Sequence, residues 1–83
     1  MANLSKEQIA KKLFVENELI DVLISATEGF VTGCEYVADG PDEYVLVSHW
    51  WGSSERKTTV NVTADSRWAI LKDVLKAVEA RYT

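Results

Sequence analysis

The chain predicts an α+β fold: a two-layer sandwich in α-β-β-β-α order, a three-stranded antiparallel sheet with both helices on one face. Three observations predict it. The stretch from Tyr44 to Trp51 is rich in β-branched and aromatic side chains and has turn formers on both sides. Segments of similar character lie before it, from Gly29 to Ala38, and after it, from Arg56 to Thr63, each a short turn away. Outside these three segments, apolar residues recur at helical spacing. Eighty-three residues make one domain, 1–83, with a thin core.

At the start, Ser5 with Gln8 three residues on fits a capping box. Ile9, Leu13 and Phe14 then follow a helical period, as do Leu19, Ile20, Leu23 and Ile24 further on. The pattern is less clean at Val15, Glu16 and Asn17. The segment therefore reads either as one helix from Ser5 to Ala26 or as two meeting near Asn17, with Gly29 ending the helical region. The first strand runs from Phe30 to Ala38. Asp39-Gly40-Pro41-Asp42 is a turn, and Gly52-Ser53-Ser54-Glu55 is the next. The third strand runs from Lys57 to Thr63. Asp65 or Ser66 caps a last helix whose apolar stripe is Trp68, Leu71, Val74, Leu75, Val78 and Tyr82.

Turns of two or four residues leave the strands in the same parity. With Ala38 opposite Glu43 and Trp51 opposite Arg56, one face carries Phe30, Thr32, Cys34, Tyr36, Val45, Val47, His49, Trp51, Arg56, Thr58, Val60 and Val62. That is the expected core. The opposite face carries Val31, Val37, Tyr44, Leu46 and Trp50 around the small residues Gly33, Ser48 and Thr59. With both helices on the core side, these five large apolar residues face solvent.

Chemistry is scarce. The chain has one His and one Cys, so the usual zinc ligand sets are missing, and Cys34 cannot form an internal disulfide. Cys34 and His49 share a face, but it is the expected core, where His49 sits between the hydroxyls of Thr32 and Thr58 as a structural residue. Asp39, Asp42 and Glu43 cluster at a turn without the alternating oxygens of a calcium loop. Gly33, Gly40 and Gly52 form no phosphate-cradling motif. No catalytic residue, metal site or cofactor is expected. No apolar run reaches the ~20 residues of a membrane span. The N-terminus lacks the build of a secretion signal, so the expected location is the cytoplasm.

The net charge of −4 is unevenly spread. Residues 13–55 hold nine acidic residues and no Lys or Arg, whereas residues 56–83 hold six basic and three acidic ones. An acidic middle favours basic partners and repels phosphate backbones.

The helix–sheet–helix order is similar to that of double-stranded RNA-binding domains. That resemblance implies a nucleic-acid-binding domain, gripping phosphates through a Lys-rich start to the last helix. Here the corresponding stretch is Ala64-Asp65-Ser66-Arg67-Trp68, with one basic and one acidic residue. Nucleic-acid binding, with Tyr44 and Trp50 stacking bases, is therefore the alternative reading. The first is a small acidic, non-enzymatic interaction module, of adaptor or inhibitor type. It binds a protein partner or a second copy of itself through Val31, Val37, Tyr44, Leu46 and Trp50. Small acidic single domains of phages and mobile elements are often of this kind.

Overall fold

The structure, a computed structural model, describes residues 4–82, the last of them by its backbone alone. The N-terminal helical region is a single rod with an irregular middle. Helix α1 (Lys6–Leu13) opens on the expected capping box: Ser5 Oγ accepts from the Gln8 backbone N–H, and the Gln8 side chain accepts from that of Ser5. A π-helical segment follows (Phe14–Leu19), and then α2 (Ile20–Ala26). The rod is thus neither one regular helix nor two. The broken period at Val15, Glu16 and Asn17 marks a place where the backbone bonds five residues back, with Ile20 N–H donating to the Val15 carbonyl. Through that segment Val15, Leu19 and Leu23 form one fully buried line.

Strands β1 (Val31–Asp39), β2 (Asp42–Trp51) and β3 (Ser54–Asn61) form an antiparallel sheet in the order β1-β2-β3. Both hairpins close with two residues, since Asp39 pairs with Asp42 and Trp51 with Ser54. Gly40 and Gly52 take the first loop position with φ of 60° and 64°, as a type II′ turn requires. Ala38 faces Glu43 as expected. The second turn is two residues shorter than expected, so Arg56 lies opposite His49 rather than Trp51, and parity survives.

Helix α3 (Arg67–Tyr82) starts at Ser66, whose Oγ accepts from Ala69 N–H. Its buried line is Ile70, Val74 and Val78. Leu71 and Leu75 sit at the edge of the core. Trp68, expected in the stripe, is 68% exposed because it lies on the opposite side of the first turn from Ile70. Tyr82's side chain lies outside the described residues. The rod and α3 cover the same face of the sheet and share one core with Val31, Tyr36, Val45, Val47, Val60 and Val62. Burial of each such side chain contributes roughly 1.5–3 kcal/mol.

Three expectations for the core face change. A β-bulge between Val31 and Gly33 shifts the register, so that Val31 pairs with His49. Val31 turns inward and is buried, whereas Thr32 turns outward and donates to Glu55 Oε2 at 2.8 Å. Trp51 has the expected parity but is 52% exposed, because it lies past the helical cover; the Arg56 guanidinium sits over its ring at 5.7 Å. Phe30 precedes the strand and stacks on His49, with 5.2 Å between ring centroids.

Glu43, expected with Asp39 and Asp42 at a turn, is buried on the core face. Its carboxylate accepts from the Tyr36 hydroxyl, from Lys11 Nζ at 3.0 Å and from Ala64 N–H at 3.0 Å. Burial pushes its pKa up, but these bonds outweigh it and hold the carboxyl below its ordinary value. Glu16, carried by the π-helical segment, accepts from Lys12 Nζ and from Tyr36 N–H, and so occupies the outer edge of β1. At the foot of α3, Asp65 stands beside Asp73. A hydrogen bond the two carboxyls can share only through a proton, together with burial, raises the Asp65 pKa to about 6. With both ionised, its buried Oδ2 has no hydrogen-bond partner among the described residues.

Candidate interaction face

Register places Val37 beside Tyr44, with Leu46 two residues on and Trp50 four beyond that, all on the face away from the helices. Val37, Tyr44 and Leu46 are half-buried by their neighbours, and Trp50 is 43% exposed. Four of the five sequence-predicted contact residues thus share one open surface. Val31 does not belong to it, because the bulge turns it into the core.

Between Leu46 and Trp50 the face narrows to its smallest side chains. Ser48 pairs with Gly33 on one side and Lys57 on the other. Gly33 and Ser48 make the low floor of a furrow in the sheet face, with Lys57 at its β3 end. One wall is Leu46 with its partner Glu35. The other is Trp50 with its partner Glu55, whose carboxylate reaches back to Thr32. A Cβ added at Gly33 would meet only Ser48, at 3.7 Å, so the floor is low rather than tightly packed.

The charges on this face are acidic. Alternation along the strands places Glu35, Asp39, Asp42 and Glu55 on it with a single cation, Lys57, a net of −3. Among the described residues, no ion pair engages any of the five. Strand parity places Glu35 and Lys57 on this face from the sequence, whereas Asp39, Asp42 and Glu55, read there as turn residues, join it because both hairpins close with two residues. The acidic residues fall at the same alternate positions as Val37 and Leu46.

No family model matches the chain, and it matches neither a curated protein nor a solved structure.

The rest of the molecule offers less. His49 is buried with both ring nitrogens engaged. Nδ1 lies 3.0 Å from the Trp50 carbonyl and must donate to it, so Nε2 accepts from the Thr58 hydroxyl at 2.7 Å. The expected second partner, Thr32, faces the other way. Burial pushes the Cys34 thiol up to about 11, so it is held protonated at neutral pH. Among the described residues, no group of three or more His, Cys, Asp or Glu side chains could hold a metal ion, and no helix is long and apolar enough to cross a membrane. The helical layer exposes Ile9, Leu13, Val22 and Ile24, all on the N-terminal rod, and Trp68 on α3. A groove of about 730 Å³ between α1 and the start of α3 is lined by Lys11 and Glu43, which pair with each other, and by Asp65.

Proposed function

We propose that this protein is a small acidic, non-enzymatic interaction module, an adaptor or inhibitor, that binds a protein partner through the open face of its sheet. The observation that carries this reading is the grouping of Val37, Tyr44, Leu46 and Trp50 on a face with no helix over it among the described residues. Aromatic residues on an accessible apolar patch are the usual source of binding energy at interfaces. The raised thiol of Cys34 and the fully engaged ring of His49 support a non-enzymatic role. The single half-buried cysteine supports a cytoplasmic setting, where thiols stay reduced. Nucleic-acid binding is the weaker reading, since the aromatic residues that would stack bases are ringed by carboxylates that repel phosphate.

The test compares proteins retained from a host extract by the wild-type chain, by Trp50→Glu and by Trp68→Ala. All three should show the same far-UV circular dichroism. A partner held by wild type and Trp68→Ala but lost by Trp50→Glu is the expected result. Retention of the same proteins by Trp50→Glu overturns the proposal.

A further inference from the structure

Resting on that reading of the sheet face, we propose that the partner is a basic protein surface rather than a second copy of this chain, and that it lays an arginine side chain in the furrow over Gly33 and Ser48. The charge on the face decides between the two occupants. A two-fold dimer through this face would bring two surfaces of net −3 together, with carboxylates against carboxylates. A basic partner instead meets four acidic groups with one cation among them.

The furrow itself names the side chain. Leu46 and Trp50 are four residues apart on one strand, roughly 13 Å at the usual rise, and only Ser48 stands between them on that face. The furrow's two walls differ. Each carries an apolar residue for the aliphatic stem, Leu46 or Trp50, and each carries a carboxylate, Glu35 or Glu55. A guanidinium stacks on an indole and binds carboxylates through a planar fork, whereas an ammonium does the first poorly and the second as a point charge. Lys57 closes the β3 end of the furrow, so the cation enters over Gly33, beside the outward-turned Thr32 and the Glu55 carboxylate that it binds. The missing Cβ at Gly33 is what leaves that entrance open.

Two short peptides test this by nuclear magnetic resonance titration of the labelled full-length chain. One has a central arginine between valine and leucine; the other carries citrulline, the same shape without the charge, in its place. The arginine peptide is expected to move the backbone amides of Gly33 and Ser48 and the Trp50 indole N–H, and the citrulline peptide to bind about 10-fold more weakly. Glu35→Gln with Glu55→Gln should bring the arginine peptide down to the citrulline level. Gly33→Ala should reduce binding while leaving the melting temperature unchanged or raised, since its Cβ makes only ordinary contact with Ser48. Equal responses to the two peptides overturn the arginine assignment and leave the face as a docking surface. Silence of the face to both overturns the assignment too, and the extract comparison above then decides whether the face docks anything.

Discussion

Replacing Glu43 by leucine should be among the most damaging single changes in this domain. Its carboxylate is the shared acceptor for Tyr36 on β1, Lys11 on α1 and the backbone of Ala64 ahead of α3, so one side chain ties three parts of the chain together. Removing one member of a buried ion pair typically costs ~3–5 kcal/mol, because the other charge stays behind. Lys11 keeps 14% of its side-chain surface exposed and can swing part-way to water, which favours the lower end, about 3 kcal/mol. A domain of this length has a total stability of roughly 4–12 kcal/mol. Urea unfolding followed by tryptophan fluorescence at pH 7 measures the loss directly. Changing Lys11 to methionine in the same chain should recover ~1–3 kcal/mol of it, as expected for partners in contact. The pH dependence gives a second handle. Glu43 has a lowered folded pKa, so its contribution is present above the ordinary value of 4.5 and disappears as pH falls through the folded value. The gap between wild type and Glu43→Leu should therefore close in acid. A variant within half a kcal/mol of wild type at pH 7 would refute the carboxylate's role as the shared fastening of these three elements.

Asp65 behaves in the opposite sense. Its pKa is raised from 3.8 to about 6, so its contribution is complete below 3.8 and lost as pH rises through 6. The ~2-unit shift bounds the effect near 3 kcal/mol, which partial solvent access and sharing with Asp73 reduce to roughly 1–2. Asp65→Asn should raise the melting temperature at pH 7.5 and lose that advantage at pH 4.5; a constant offset across that range would count against the paired carboxyls. Leu19→Ala, at a fully buried site, should cost ~2–5 kcal/mol, whereas Trp50→Ala should change stability by less than ~1 kcal/mol in the same denaturation series. Ala64 holds a left-handed φ of 61° that favours glycine, so Ala64→Gly should be neutral or stabilising by up to ~1 kcal/mol, and a clear drop in melting temperature would contradict this.

Much of this architecture is legible in the sequence for local reasons. Gly40-Pro41 and Gly52-Ser53 dictate tight hairpins, and tight hairpins of even length set the parity of every strand residue. That parity brings Val37, Tyr44, Leu46 and Trp50 to one face. Glu43 reads from the sequence as part of an acidic turn, because its partner Lys11 lies 32 residues away and could not be read from local pattern. The bulge that turns Val31 inward has a sequence signal, an isolated glycine at 33 within a strand, but a glycine does not say which neighbour slips. Trp51 illustrates a different limit. Its parity is correct, yet burial depends on how far the helices reach over the sheet, and that is a property of the packed whole.

The π-helical segment has a consequence for how this chain can change length. The wide turn takes up one residue more than an α-helix would use to reach the same point, with Ile20 bonded five residues back to Val15, so α1 and α2 keep the phase of a continuous rod. Deleting a single residue between 14 and 19 would let the rod close into ordinary α-helix, a locally favourable change, with α1 still facing the sheet and Lys11 still in reach of Glu43. Removing a residue from a regular stretch of helix instead turns whatever precedes it by about 100°. The wide turn is therefore the stretch of the rod where the gene has most freedom to lose a triplet.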